Sequence, residues 1–138
     1  MKLVLKSLLD FVKFLVGGKY LHGKRVSNAT SQKIREKWRG EIVVALQTRS
    51  PAQLRQALIT ADKLLDTALG EVSEGENMSS RLKNAKDLFE WDLYDKIWKA
   101  HKVRNSLVHD LDYEPTYFVL EEAISDLKLG LIEIGVQI

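Results

Sequence analysis

The chain contains no cysteine and only two prolines among its 138 residues. The absence of cysteine excludes disulfide bonds and thiolate metal sites, so a secreted disulfide scaffold is ruled out and a reducing compartment is allowed. We expect a cytoplasmic location. Pro51 and Pro115 both stand where a helix is expected to start, and Ser50–Gln53 is typical of a capping box. No segment alternates apolar and polar residues over the length of a half-buried strand. The sequence therefore predicts an all-α protein.

The net charge of +2 hides an uneven distribution of charge. Residues 1–39 carry ten Lys/Arg and two acids, whereas residues 40–138 carry 11 bases and 17 acids. A basic arm on an acidic body favours a polyanionic partner, either nucleic acid or an anionic membrane surface. The alternative is an arm that neutralises its own body. The candidate nucleic-acid contacts are Lys24, Arg25, Lys33 and Arg35.

The apolar N-terminal segment predicts an amphipathic helix over residues 1–18, followed by a basic linker over residues 19–29. The charges that interrupt the helix and its length below about 20 residues argue against a membrane span. We expect this helix to pack against its own domain or a second copy, with a membrane-surface or partner-docking role as the alternative. The remaining domain, residues 30–138, is predicted to be a helical bundle.

Apolar residues at three- and four-residue spacing predict four main helices in that bundle and a short connecting one. The main helices are expected at about residues 30–48, 51–72, 90–109 and 115–136, and the short one at about 80–89. The last helix carries a second apolar stripe on its far side, formed by Leu129, Ile132 and Val136. Such a stripe requires a cover, either the N-terminal helix or a second subunit.

A polar cluster interrupts the apolar stripe of the 90–109 helix. On a helical wheel His101, Arg104 and Asn105 fall on the apolar side among the tryptophans, and His109 falls at its edge. Polar groups in such positions cost free energy unless they are paired or used. A purely structural interpretation pairs Arg104 with Asp62 or with another acid of the second helix, Asp66. We assign His101, Asp62 and Asp66 supporting roles.

An Arg, Asn and His set without cysteine suits phosphate chemistry. The guanidinium of Arg104 would hold a phosphate and stabilise its developing charge. His109 would take a proton from a ribose 2′-hydroxyl or give one to a leaving oxygen, while Asn105 would orient the hydroxyl or the ring. The histidines lack the spacing of a helical zinc pair, so no metal and no cofactor are expected. These residues therefore suggest the hypothesis that the protein is a metal-independent ribonuclease. One chain supplies only one such histidine, and a two-fold dimer would supply two, one as acid and one as base.

The motif Arg104-Asn105-x-x-x-His109 resembles the R-(polar)-x-x-x-H signature of the HEPN superfamily of small α-helical bundles. The likeness extends over about residues 30–137. It includes the segment 57–66, the tryptophan-rich run before the motif and the proline-started last helix, as in small bacterial proteins with this bundle. The resemblance implies a HEPN-like bundle of four main helices, extended here by the N-terminal helix. Relatives include metal-independent endoribonucleases, toxins of toxin–antitoxin pairs, and nucleotide-binding or non-catalytic members.

The resemblance also implies roles and partners. Arg104 would hold the scissile phosphate, Asn105 would assist, and His109 would act as general base or acid on RNA. A homodimer with two motifs facing one cleft is implied, as is an antitoxin partner. One departure is Leu111, which stands where toxins silenced by nucleotidyl transfer often have tyrosine. A non-catalytic nucleotide-binding or protein-interaction module, membrane-peripheral through residues 1–16, is the alternative function.

Overall fold

The computed structural model describes residues 25–138, and every regular element in that range is helical. The all-α prediction is confirmed for this part of the chain. The predicted helix over residues 1–18, most of the basic linker and Lys24 lie outside the described residues. Within residues 25–138, no helix has the length and apolar character needed to cross a bilayer.

Six α-helices carry the fold in this range. A π-helical segment, Trp38–Ile42, joins the first two into the predicted 30–48 helix, and a 3₁₀ turn, Lys86–Leu88, follows the fourth. The helices are α1 (Asn28–Lys37), α2 (Val43–Thr48), α3 (Pro51–Val72), α4 (Met78–Asn84), α5 (Trp91–His109) and α6 (Tyr117–Glu133).

Two helices begin differently from the sequence-based prediction, α3 in its capping and α6 in its first residue. Pro51 occupies the first turn of α3 as expected, but the Ser50 side chain makes no capping hydrogen bond. The partner that the capping box requires, Gln53, is instead hydrogen-bonded to the hydroxyl of Thr48. At α6 the hydroxyl of Thr116 accepts the amide of the third helical residue, so the helix begins after this cap and two residues later than Pro115.

The core forms around α3, and α6 packs against both α3 and α5. Gly130 allows the close approach of α6, because a Cβ there would lie 2.8 Å from Ile97 Cδ1 and 3.6 Å from Leu65 Cδ2. The apolar face of α3 is buried as its spacing predicts. Its buried apolar residues are Leu54, Ala57, Leu58, Ala61, Leu65, Ala68 and Leu69.

The apolar stripe predicted on the far side of the last helix is only partly formed. Leu129 and Ile132 are exposed, whereas Val136 is buried. The difference arises because α6 ends at Glu133 and the chain turns at Gly135, whose φ of 104° lies in the region that favours glycine. The turn carries Val136 back into the core, so the exposed stripe is shorter than expected.

The start of α1 is tied to the end of α3 by one carboxylate. Glu71 accepts hydrogen bonds from the Ser27 amide, at 2.9 Å, and from the Thr30 hydroxyl. These bonds favour the ionised form, and the Thr30 bond is the largest cause of the lowered pKa of Glu71. A carboxyl whose pKa is lowered by folding adds stability above its unfolded pKa, and that stability is lost as the pH falls through the folded value.

We predict that Glu71→Gln lowers the free energy of unfolding at pH 7 by about 0.5 kcal/mol, because the lost hydrogen bonds belong to an exposed carboxylate. The difference from the wild type should shrink as the pH falls from about 5 to about 3. Urea unfolding across this pH range measures it. The matched control is Glu74→Gln, an exposed acid. An equal effect of both substitutions would contradict a stabilising role of the Glu71 hydrogen bonds.

Candidate functional site

A buried carboxylate on α3 meets two cationic or titratable side chains of α5. Asp62 is 3% exposed and His101 is 6% exposed. His101 Nδ1 lies 2.9 Å from one Asp62 oxygen and 3.2 Å from the other. Arg104 Nε lies 3.6 Å from Asp62 Oδ2. A buried carboxylate is costly without such partners, so the polar cluster predicted on α5 is matched to this acid.

Asn105 closes these contacts into a ring of four residues. Its Oδ1 accepts a hydrogen bond of 3.0 Å from Arg104 Nη1. Its Nδ2 lies 3.4 Å from His101 Nε2. The ring therefore runs from Asp62 to His101, Asn105, Arg104 and back to Asp62. One carboxylate faces one guanidinium, so the ring is neutral when the imidazole is neutral.

The ring determines the tautomer of His101 through its hydrogen-bond directions. Arg104 can only donate, so the amide oxygen of Asn105 must face it and the amide nitrogen must face His101. That nitrogen can only donate, so His101 Nε2 must accept. The proton of the neutral imidazole is then on Nδ1, and this N–H donates a hydrogen bond to Asp62. This network assigns a neutral imidazole with its proton on Nδ1.

The guanidinium of Arg104 keeps donor capacity beyond the ring. Its side chain is 31% exposed. Only Nη1 is used in a hydrogen bond, while the buried Nε, although close to Asp62, has no hydrogen-bond partner in the described part of the chain. Arginine offers five N–H donors in a planar fork. The charge of Arg104 is compensated, but its outer donors are available to a ligand.

Asp66 does not take part in this ring. Its carboxylate lies 2.8 Å from Arg81 Nη1, and Arg81 Nε also donates to the carbonyl oxygen of Gly75. This pair fastens α4 and the preceding turn to α3. Of the two acids that the sequence offered as partners of Arg104, only Asp62 is in contact with it, and Asp66 has a structural role instead.

His109 lies apart from the ring, at the last residue of α5. It is exposed and lines a cleft of about 320 Å³. Residues five apart on a helix are separated by about 140° around its axis, so His109 and Arg104 point to different sides of α5. The cleft brings together Arg55, Leu107, Val108, His109, Asp110, Leu111, Tyr113 and Glu114.

Arg55 is a candidate residue that sequence reasoning missed. The signal that reveals it is the helix register: α3 and α5 run antiparallel, and Asp62 of α3 lies opposite His101 of α5. Arg55 lies two helical turns before Asp62 on α3, and the segment that ends at His109 lies two turns after His101 on α5. The antiparallel arrangement brings these two positions together. The sequence alone does not supply this register, which the contacts of Asp62 with His101 and Arg104 show.

The predicted nucleic-acid contacts within the described range do not line the His109 cleft. Lys33 is exposed and Arg35 is half-buried on α1, and the side chain of Arg25 lies against Gly135 beyond the end of α6. Lys33 borders a separate surface depression with other charged residues of α1. Contact of these residues with nucleic acid stays a prediction.

Comparison of the chain with protein-family models, curated proteins and solved structures finds no match. Among residues 25–138, no group of three or more His, Asp or Glu side chains is placed to hold a metal ion.

We predict that Asp62→Ala lowers the free energy of unfolding by about 3–5 kcal/mol, because Arg104 is left with an uncompensated, half-buried charge. Asp66→Ala is the matched control on the same helix. It breaks a partly exposed pair and should cost at most about 1 kcal/mol. Urea unfolding of both variants measures the difference. Similar costs would show that the buried ring is not the stronger contact.

We also predict that ¹⁵N spectra of the imidazole groups show His101 protonated on Nδ1 and unprotonated on Nε2 at pH 7. Asn105→Asp replaces the amide donor with an acceptor, so His101 Nε2 should become protonated in that variant. The matched control is Lys102→Gln, an exposed position of α5, which should leave the His101 signals unchanged. A wild-type His101 protonated on Nε2 alone would contradict the assigned ring.

Proposed function

We propose that the protein is a metal-independent endoribonuclease of the toxin or defence type, built on a HEPN-like bundle. Arg104 and His109 would act on an RNA phosphodiester through attack of the ribose 2′-hydroxyl. The observation that carries the proposal is the state of the two groups. The imidazole of His109 is exposed in a cleft, and Arg104 presents unused donors from a site fixed by its neighbours.

Each polar residue of α5 has a role in this proposal. Arg104 donates to a non-bridging phosphate oxygen, where a guanidinium stabilises developing negative charge. Asn105 is held between Arg104 and His101 and keeps the guanidinium in one orientation. Asp62 and His101 are positioning residues, because both are buried and act through their contacts with the other two.

The reaction needs one base and one acid. His109 removes the proton from the 2′-hydroxyl, O2′ attacks phosphorus, and the bond from phosphorus to O5′ breaks. The leaving O5′ takes a proton from a second imidazole, which leaves a 2′,3′-cyclic phosphate and a 5′-hydroxyl end. No oxidant, metal or cofactor is required for this balance.

A second copy completes the site in this proposal. Arg104 and His109 of one chain diverge around α5, so a partner chain would bring its own Arg104 and His109 to the same phosphate. Val108 and Leu111 border the cleft, the first about half exposed and the second fully exposed, and they offer apolar surface for such a contact. RNA and a homodimer are the proposed partners, with an antitoxin implied by the toxin class.

A non-catalytic nucleotide-binding or protein-interaction module is the second candidate. Two observations favour it over cleavage of RNA: Arg104 already faces a buried carboxylate, and Asp110 and Glu114 line the His109 cleft, where their negative charge weakens binding of an RNA strand. Such a module would bind a nucleotide or protein through the same surface without cleaving RNA.

We predict that the purified protein cleaves RNA in the presence of a chelator and leaves cyclic phosphate ends. His109→Gln should lower the rate at least about 100-fold with little loss of stability, because the side chain is exposed. Arg104→Gln should lower it similarly while also reducing stability, since Asp62 loses its cation. Gel assays and thermal unfolding measure both effects.

The matched control for these substitutions is Lys102→Ala, which removes an exposed cation from α5 beside the ring. It should leave both the rate and the stability close to those of the wild type. Nucleotide binding without cleavage by the wild type would favour the second candidate. Full activity of His109→Gln would refute the proposed role of the imidazole.

A further inference from the structure

The cleft beside His109 contains a cation that has no structural partner in the described part of the chain. Arg55 is half-buried on α3 and lines the cleft together with His109. Within residues 25–138 its guanidinium forms no ion pair, hydrogen bond or aromatic contact. An arginine can bury its aliphatic stem while its charged head stays in water, so the guanidinium of Arg55 is left available to an anionic ligand in the cleft.

Three other arginines, at α3 or at the bundle ends, have such partners, whereas the half-buried Arg35 of α1 has none within residues 25–138. Arg81 is paired with Asp66, and Arg104 is paired with Asp62. Arg49, which precedes α3, lies 4.6 Å from the centre of the Tyr117 ring and 3.7 Å from a Glu121 oxygen. These contacts fasten one helix to another. Within residues 25–138 Arg55 makes no such contact, and unlike Arg35 it lines a cleft beside an exposed imidazole, where it is placed to meet a ligand.

We propose that Arg55 and His109 of one chain form a binding site for the phosphodiester of a nucleic-acid strand. Arg55 offers a planar pair of N–H donors to the non-bridging oxygens, and His109 lies beside the bridging oxygens. Phosphate binding here needs only one chain. The inference that the bound strand is RNA to be cleaved rests on the proposed function.

The charges of the cleft select the type of phosphate. Asp110 and Glu114 line the same cleft, so a ligand meets two carboxylates as well as Arg55 and His109. A dianionic monoester would be repelled more strongly than a monoanionic diester. Tyr113 is half-buried at the cleft and adds a hydroxyl donor and a ring on which a base can stack. The site therefore favours a diester flanked by nucleosides.

The binding test uses the full chain and a 2′-O-methyl ribodinucleotide, a diester that 2′-hydroxyl attack cannot cleave. Its addition should shift the imidazole NMR signals of His109. Arg55→Gln should weaken binding about tenfold or more, because a charge-assisted pair of hydrogen bonds is lost. Arg55→Lys should retain part of the affinity, and Asp110→Asn should tighten binding several-fold at low salt.

The matched control is Arg39→Gln, which removes an exposed arginine that does not line the cleft and should leave affinity unchanged. Circular dichroism checks that each variant is folded. Equal affinity of Arg55→Gln and wild type, or no response of His109 to the dinucleotide, would overturn the site. Tighter binding of inorganic phosphate than of the dinucleotide would overturn the preference for a diester.

Failure of the site and failure of the nuclease proposal give different results. If the wild type binds the dinucleotide through Arg55 but leaves RNA intact, the binding site stands and the nuclease proposal fails. If the wild type cleaves RNA and Arg55→Gln changes neither KM nor dinucleotide affinity, the nuclease proposal stands and the Arg55 site fails.

Discussion

The buried carboxylate of Asp62 is the constraint on which the arrangement of α3 and α5 depends. It lies on the apolar face of α3, where an ionised group is tolerated only beside donors and a cation. His101 and Arg104 supply both from α5. These contacts join one residue of α3 to two residues of α5, and the two helices are antiparallel. They therefore fix the register between the helices and determine which other residues of α3 and α5 face each other. The half-buried Arg55 reaches the end of α5 for this reason.

The ring formed by Asp62, His101, Asn105 and Arg104 need not be a large source of stability. Apolar burial around α3 provides the main driving force for folding, and a buried ion pair often contributes no more than apolar residues of similar size. Its geometric effect is more specific. The three hydrogen bonds of the ring determine the amide orientation and the imidazole tautomer together, and the Arg104–Asp62 ion pair closes it. Under the proposed function, this arrangement would orient the donors of Arg104 before a phosphate arrives.

The sequence predicts which face of a helix a residue occupies better than how deeply it is buried. The periodicity of α3 and the polar cluster of α5 are both present as expected. Trp91, however, lies on the apolar side of the wheel and is 69% exposed, because it stands at the first turn of α5. Asp62 and Asp66 are one turn apart and nearly equivalent on a wheel, and their roles are separated by neighbours on other helices, His101 and Arg104 of α5 for Asp62 and Arg81 of α4 for Asp66. The Arg55 cleft depends on the register between helices, which periodicity within one helix does not contain.

Helix geometry also limits how the candidate groups act together. Arg104 and His109 diverge around α5, so one phosphate meets both only if two chains contribute. Arg55 and His109 share a cleft in one chain. These arrangements are compatible, because a phosphodiester has two non-bridging oxygens and accommodates one guanidinium on each side. A phosphate held by Arg55 of one chain would be desolvated and oriented before the Arg104 of a second chain approached it. In the proposed order of events, the single chain would bind the phosphate, and the added charge stabilisation that cleavage requires would depend on association of two chains.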